Sequence, residues 1–182
     1  MMFRSARLLS LSTLQRVGIS LTLMLLSLVS AQAANITPVN QAELAPMRDF
    51  NLSEIGGGEL SLGELQGQVV LVDFWASWCG PCRESFPWMN AIQQRYMDDG
   101  LVVLGINLDQ DAAAAESFLK TVPANFTLVR DPDARLLEAF GLIGMPSSYL
   151  LDRQGRIRAT HTGFHAGRAD DYEASIQQLL AE

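Results

Sequence analysis

The stretch "VVLVDFWASWCGPCRESFP", residues 69–87, decides the fold of this 182-residue chain. It opens with an apolar run rich in β-branched residues, 69–76, as expected of a strand buried on both faces. Apolar residues then recur at helical spacing, at Phe86, Met89, Ile92 and Tyr96. The stretch therefore predicts a buried strand that leads directly into a helix. Both cysteines of the chain, Cys79 and Cys82, lie at that junction.

The rest of the chain alternates between predicted helices and strands. Apolar runs predict further strands at 101–106, 126–129, 148–152 and 156–161, the last two joined by the turn "RQG". Helices are predicted over "AAAAESFLKTV" behind Asp111, from Asp131 and Pro132 through "ARLLEAF", and around Tyr172, Ile176, Leu179 and Leu180. This order predicts an α/β fold, a mixed sheet with helices on both faces.

The first 33 residues form a secretory signal pattern. Residues 1–16 carry three arginines and no acid, 17–29 are uncharged and apolar, and "AQA" occupies 31–33. A signal peptide cleaved after Ala33 is the interpretation we favour. The alternative is an uncleaved membrane anchor, although the apolar run is shorter than the ~17–25 residues that a spanning helix needs.

Residues 34–48 are polar and contain two prolines, so we predict that they form a tether. Residues 49–182 are predicted to form one domain. Without the three arginines of the signal, ten basic residues stand against twenty acidic ones, a net charge near −10. Such a charge argues against nucleic acid or an anionic membrane surface as a partner. We expect an exported protein, periplasmic or beyond, that is soluble after cleavage and monomeric.

The cysteine spacing indicates a reactive pair rather than a structural disulfide. Exported proteins meet an oxidising compartment, where cysteines usually form structural disulfides. A Cys-X-X-Cys disulfide closes a loop too short to stabilise a fold appreciably. A zinc half-site has the same spacing, but four ligands are needed and only His161 and His165 could join. We therefore expect no metal and no cofactor other than a redox-active Cys79–Cys82 disulfide.

The position of Cys79 favours the reactive form of its thiol. A residue at the N-terminus of a helix meets unpaired backbone N–H groups and the positive end of the helix dipole, which stabilise a thiolate. Cys82 lies one turn deeper on the same face. Pro81 costs nothing in the first turn, where its missing N–H would have no partner. Cys79 is the predicted nucleophile, and Cys82 is the predicted resolving cysteine.

The segment "VDFWASWCGPC", 72–82, resembles thioredoxin almost residue for residue. The resemblance implies that Asp73 is a buried acid that exchanges protons with the thiols, a role that a burial-raised pKa suits. The alternative, an aspartate capping a turn, fits poorly in the middle of an apolar strand. Pro87 matches the proline that bends the active-site helix. Trp78 is predicted to be a half-exposed docking surface beside the nucleophile.

A second segment, "GLIGMPSSYLL" at 141–151, is similar to the thioredoxin loop that carries a cis proline. The resemblance implies that Pro146 faces the cysteines and pairs with the substrate backbone, and that Met145 tunes selectivity. Substrate contacts are expected also from Trp78, Gly80 and Pro81. The alternative is a trans proline at the start of an edge strand.

The length of the chain narrows the resemblance further. Cys79 and Pro146 are 67 positions apart, more than plain thioredoxin needs, and the excess falls around 111–130. With the opening "FNLSEIGGGELSLGELQGQ", residues 50–182 resemble the exported TlpA/ResA/DsbE group of thiol–disulfide oxidoreductases. That implies a reductant of protein disulfides, recharged by a membrane thiol donor and serving cytochrome c maturation, metal-site assembly or protein repair.

Two departures from this group are visible. Many members have a glutamate three residues after the second cysteine, where this chain has Ser85; Glu84, one residue earlier, is expected to face solvent. The segment around Pro146, "GLIGMPSSYLL", has no acidic residue after the proline, so a role dedicated to cytochrome c is not supported.

Three other functions remain open from the sequence. A disulfide donor would use the same cysteines in the opposite direction, although the Gly-Pro pair between them resembles the reducing thioredoxins. A copper-handling module would combine the two cysteines with His161 or His165. A thiol peroxidase is disfavoured because the P-x-x-x-T/S-x-x-C pattern is missing.

Overall fold

The computed structural model describes residues 36–47 and 49–182. The predicted signal peptide, 1–33, lies outside the described residues. Seven strands are present in the described part: β1 (Asn51–Ser53), β2 (Glu59–Ser61), β3 (Val69–Trp75), β4 (Leu101–Asn107), β5 (Thr127–Arg130), β6 (Ser147–Leu151) and β7 (Ile157–Thr162). Its α-helices are α1 (Gly80–Tyr96), α2 (Ala112–Thr121), α3 (Arg135–Ala139) and α4 (Ala169–Leu180). Within these residues we find no helix with the length and apolar character to cross a membrane.

Five strands form one mixed sheet in the order β5-β4-β3-β6-β7. Strands β3, β4 and β5 run parallel, whereas β6 and β7 run antiparallel to their neighbours. Every residue of β3 is buried, as expected for the central strand. The predicted insertion supplies α2 and the edge strand β5. The predicted mixed α/β sheet is therefore confirmed.

One face of the sheet is covered by α1, α2 and α4. Leu71 and Trp75 of β3 point into this face together with Phe86 of α1 and Phe118 of α2. The ring of Trp75 lies 5.1 Å from that of Phe86 and 5.0 Å from that of Phe118, centroid to centroid. Such aromatic packing fixes α1 on the sheet, and with it the cysteines at the start of the helix.

The opposite face is covered largely by the β1–β2 hairpin, the turn after it and the short helix α3. Helix α3 begins at Arg135, later than the predicted start at Asp131. The Asp131 carboxylate instead accepts hydrogen bonds from the backbone N–H groups of Arg135 and Leu136, at 3.1 and 2.8 Å. The Asp131 carboxylate thus accepts hydrogen bonds from N–H groups of the first helical turn without being the residue directly before the helix. The sequence pattern predicts a capping residue in that adjacent position.

Residues 36–47, predicted as a tether, lie along the β6–β7 hairpin. The Ile157 N–H donates to the Glu43 carbonyl and the Ala45 N–H to the Gly155 carbonyl, each at 2.8 Å. Met47 is buried. This segment is part of the packed domain. Its hydrogen bonds to the hairpin are made by backbone atoms. The side-chain pattern of a polar, proline-containing segment does not reveal such bonds, so the sequence did not predict the packing.

Candidate active site

The two cysteines form a disulfide at the start of α1. Cys79 occupies the N-cap position, and its Cα lies 5.3 Å from that of Cys82. The Cys79 sulfur accepts a hydrogen bond from the Cys82 backbone N–H at 3.3 Å. Cys79 keeps 5% of its surface exposed and Cys82 none. The sulfur of Cys79, the less buried residue of the pair, therefore sits where an N–H group and the helix dipole favour negative charge.

Asp73 lies in the middle of β3, on the same face as Leu71 and Trp75, which α1 covers. The Ser148 hydroxyl donates to its Oδ2 at 2.6 Å, and its Oδ1 has no hydrogen-bond partner among the described residues. Burial raises the pKa of Asp73 from 3.8 to about 7, against the lowering effect of the Ser148 hydrogen bond. An acid with such a pKa can take or give a proton near neutral pH.

The Met145–Pro146 peptide bond is cis, as the resemblance implied. Ser147, which follows it, pairs with Phe74 near the end of β3, so the loop lies at the same edge of the sheet as Cys79. The Pro146 carbonyl accepts a hydrogen bond from the Gly163 N–H at 2.7 Å. Pro146 is buried and Met145 is half-buried.

Exposed apolar side chains stand at this edge of the molecule. Trp78 is 70% exposed and Ile143, in the loop before the cis proline, is 92% exposed. Gly80 and Pro81 are exposed as well. Ile143 was not singled out in the sequence, because exposure of one apolar loop residue leaves no pattern.

The residues after the cysteines are held in place. Ser85 is buried and donates its hydroxyl to the Cys82 carbonyl at 3.0 Å, while Glu84 faces solvent as predicted. The Arg83 guanidinium lies 4.6 Å from the centre of the Phe118 ring. Neither Ser85 nor Glu84 can therefore take the part of the glutamate found in many members of the group.

Asp109, which the sequence analysis missed, holds the turn before Cys79. Its carboxylate accepts from the Ser77 N–H at 2.9 Å, the Ser77 hydroxyl at 2.8 Å and the Asn107 side-chain amide at 2.8 Å. It is 5% exposed. The carboxyl ends of adjacent parallel strands meet at one edge of a sheet, so an acid just after β4 could have been expected beside the end of β3.

Neither His161 nor His165 belongs to a cluster of possible metal ligands among the described residues. The His161 ring packs at a tilt against Tyr172 at a centroid distance of 4.5 Å, and burial lowers the pKa of His161. Residues 36–47 and 49–182 contain no group of three His, Cys, Asp or Glu side chains that could hold a metal ion.

A cysteine pair that closes a disulfide at a helix start, opposite a cis-proline loop on a mixed five-stranded sheet, defines a thioredoxin-fold protein. The model of the Redoxin family matches residues 42–176, about three-quarters of the chain. The chain belongs to this family.

Two of its relatives are named as thiol-disulfide oxidoreductases. The thiol-disulfide oxidoreductase ResA of Geobacillus thermodenitrificans is 32% identical over 127 residues, which span 70% of this chain and 72% of that protein. ResA of Bacillus subtilis is 28% identical over 151 residues, 81% of this chain and 83% of the relative.

Among solved structures, a Chlorobium tepidum protein named thiol:disulfide interchange protein DsbE shares 42% identity at a TM-score of 0.73, covering 76% of this chain and 96% of that one. The exposed lipoprotein thioredoxin of Streptococcus pneumoniae shares 28% identity at a TM-score of 0.64, covering 72% and 99%. The protein is a thiol–disulfide oxidoreductase of the ResA/DsbE type that acts on protein thiols.

Proposed function

We propose that this oxidoreductase is an exported reductant of protein disulfides that works through Cys79 and Cys82. The observation that carries the proposal is the asymmetry of the pair: Cys79 caps the helix and keeps 5% of its surface exposed, whereas Cys82 is fully buried on the face of the sheet that carries Asp73. The Gly-Pro pair between the cysteines, as in reducing thioredoxins, supports the direction of electron flow.

In the first half of the reaction, the Cys79 thiolate attacks one sulfur of a substrate disulfide. A Cys79–substrate mixed disulfide forms, the substrate S–S bond breaks, and the second substrate sulfur leaves as a thiolate. The N-terminus of α1 stabilises the attacking thiolate through its N–H groups and dipole.

In the second half, Asp73 accepts the proton of the Cys82 thiol. The resulting thiolate attacks Cys79, the mixed disulfide breaks, and the remaining substrate sulfur leaves and is protonated. Two electrons pass from the dithiol to the substrate, and the protein is left with the Cys79–Cys82 disulfide. A carboxyl group with a pKa of about 7 is suited to this proton exchange.

The substrate polypeptide would dock around the cis-proline loop. We assign backbone pairing to Pro146, selectivity to Met145, and contact with the substrate chain to Trp78, Gly80 and Pro81. The exposed Trp78 and Ile143 favour polypeptides with apolar side chains near their disulfide.

The cellular setting is proposed from the sequence pattern and the relatives. The basic, apolar and small-residue order of 1–33 supports export with cleavage after Ala33. Once oxidised, the protein needs a dithiol donor, for which we propose a membrane thiol reductant. Cytochrome c maturation, metal-site assembly and protein repair are the candidate uses, and a monomer is the proposed working form.

The reduction potential tests the direction. The purified protein is equilibrated with a glutathione or dithiothreitol series, and the fraction of disulfide is measured. A potential near or below about −230 mV is expected for a reductant. A potential near about −120 mV, as in strong oxidants, would instead make the protein a disulfide donor.

The Cys82→Ser variant tests which cysteine attacks the substrate and which one resolves the mixed disulfide. It should accumulate stable mixed disulfides through Cys79, which can be isolated and the attached proteins identified. Cys79→Ser is the matched control, and we expect it to trap little, because Cys82 is buried. Equal trapping by both variants would contradict the assignment of the nucleophile.

A further inference from the structure

We propose that Ser148 is a positioning residue for the proton exchange: its hydroxyl holds Oδ2 of Asp73, and this leaves Oδ1 as the atom that exchanges a proton with Cys82. The inference rests on the proposed function of Asp73. It goes further by assigning a role to a residue of β6, and by separating the tasks of the two carboxyl oxygens.

The contact is built into the sheet register. Asp73 of β3 and Ser148 of β6 are directly paired across the antiparallel ladder. Paired side chains on one face lie within reach of each other, and here the hydroxyl and Oδ2 are 2.6 Å apart. The Ser148 side chain makes no other hydrogen bond to the described residues, so its single hydroxyl proton is directed to Asp73.

Other elements around Asp73 offer no competing charge. On β4 its partner is Gly105, which has no side chain. Helix α1 contributes the buried Cys82, α2 contributes Phe118, and α4 contributes Ile176 and Leu179 to the same cluster. Among the described residues Asp73 forms no ion pair. Ser148 is therefore the one polar side chain that donates a hydrogen bond to this carboxyl group within the described part of the chain.

The hydrogen bond from Ser148 changes the pKa of Asp73 in a definite direction. A hydroxyl that donates to a carboxylate stabilises the charged form more than the neutral form, so it lowers the pKa of the acid. Ser148 thus limits the rise that burial causes and keeps Asp73 able to ionise near neutral pH. With Oδ2 occupied, a proton taken from the Cys82 thiol goes to Oδ1, which has no partner among the described residues.

Three variants test this inference. Ser148→Ala removes the hydroxyl, and Ser148→Thr keeps a hydroxyl at the same position. Ser175→Ala is the control, since Ser175 is a buried serine whose hydroxyl donates to the Asp171 carbonyl within α4 and not to Asp73. Circular dichroism establishes that each variant is folded.

The first readout is the titration of Asp73 in the disulfide form, followed by NMR of carboxyl-labelled aspartate and assigned with Asp73→Asn. We expect Ser148→Ala to raise the midpoint by about one pH unit, as the loss of a hydrogen bond to a charged group implies. Ser148→Thr should titrate close to the native protein, and Ser175→Ala should leave the midpoint unchanged. An unchanged midpoint in Ser148→Ala, or an equal shift in Ser175→Ala, would overturn the inference.

The second readout is the rate of mixed-disulfide resolution as a function of pH. We expect its acidic limb to move upward in Ser148→Ala together with the NMR midpoint. If Asp73→Asn resolves at the native rate at every pH, the proposed function of Asp73 fails. If Asp73→Asn is slow but Ser148→Ala matches the native profile, only the role of Ser148 fails.

Discussion

Two buried carboxyl groups near the cysteines differ in how many hydrogen bonds they accept from side chains and loop N–H groups. Asp109 accepts three such bonds and is held fixed, whereas Asp73 accepts one and keeps an oxygen without a partner among the described residues. Burial disfavours a charge unless hydrogen bonds compensate for the lost water. Asp109 therefore holds a turn through its three bonds, whereas Asp73 has one such bond and a pKa that burial raises to about 7.

The raised pKa of Asp73 predicts a pH-dependent penalty on stability. Above pH 3.8 the unfolded chain ionises this group, while the folded protein keeps it protonated until about pH 7. The penalty is absent below pH 3.8, grows through this window and is complete above it. Asp73→Asn should therefore stabilise the disulfide form increasingly from pH 4 to 8, by up to about 4 kcal/mol. Denaturant unfolding at several pH values measures this difference.

The exposed Asp98 provides the control for that measurement. Asp98→Asn should change the unfolding free energy by less than about 0.5 kcal/mol. A difference between Asp73→Asn and the native protein that stays constant from pH 4 to 8 would contradict a raised pKa.

Asp109 predicts a second effect at the residue scale. Asp109→Ala leaves two donors of Ser77 and the Asn107 amide without their partner, so we expect a loss of about 2–3 kcal/mol in unfolding free energy. Because Ser77 lies two residues before Cys79, disulfide exchange should also slow for both protein and small substrates. Insulin disulfide reduction and reaction with a small aromatic disulfide measure the two rates.

Asp111→Ala is the matched control, two residues further along the chain. Asp111 caps α2 through the Ala113 N–H, so its removal should cost about 1 kcal/mol without slowing exchange. If both variants exchange disulfides at the native rate, Asp109 does not position the active-site turn.

At the scale of elements, the position of the cysteines depends on how closely β4 packs beside β3. Gly105 of β4 pairs with Asp73, and the side chains of Leu128 and Trp75 close over it. A glycine at this position leaves room for the large Trp75 ring, which packs against Phe86 of α1 and Phe118 of α2. The packing of the central strand, and not the helix alone, thus determines where the helix start lies.

Gly105→Ala should therefore destabilise the protein. An added Cβ would lie 2.6 Å from a Leu128 methyl carbon and 3.2 Å from the Trp75 indole nitrogen. Overpacking of this kind costs about 1–3 kcal/mol in a close-packed core. Chemical unfolding measures the loss, and fluorescence of the buried tryptophan reports the displacement.

Gly167→Ala is the matched control, because a Cβ there meets no atom within 4 Å. It should change stability by less than about 0.5 kcal/mol. Native stability in Gly105→Ala would show that the strand and its neighbours adjust without strain.

At the scale of the whole molecule, Arg158 of β7 joins both ends of the described chain. Its buried guanidinium donates to the Thr37 carbonyl at 2.7 Å and to the two Glu182 oxygens at 2.6 and 2.8 Å. Asp152 lies 3.3 Å from it as well. The N-terminal segment, the hairpin and the C-terminal residue are therefore joined through one side chain.

Arg158→Ala should lower the unfolding free energy by about 3 kcal/mol, because Asp152 is left buried with one partner fewer. The reduction potential should stay at the native value, since Arg158 lies four residues along β7 from Thr162, which pairs beside the cis-proline loop. Unfolding and redox titrations of the same preparation measure the two quantities.

The exposed pair Arg168–Asp171 serves for comparison, and Arg168→Ala should cost less than about 1 kcal/mol. A change in potential as large in Arg158→Ala as in an active-site variant would mean that this cluster is coupled to the disulfide.

The sequence by itself determined the strand–helix junction, the cysteine pair at its start, the burial of Asp73 and the proline loop, since each follows from local periodicity or a contiguous motif. The α/β class followed from the order of these elements. Only the tertiary structure decided the partners of the polar groups: Ser148 lies 75 residues from Asp73, and Asp109 lies 32 residues from Ser77. It also decided that residues 36–47 pack on the hairpin. Strand order and register bring such groups together, and neither is encoded in a local pattern, so a polar side chain does not reveal its partner until the sheet is assembled.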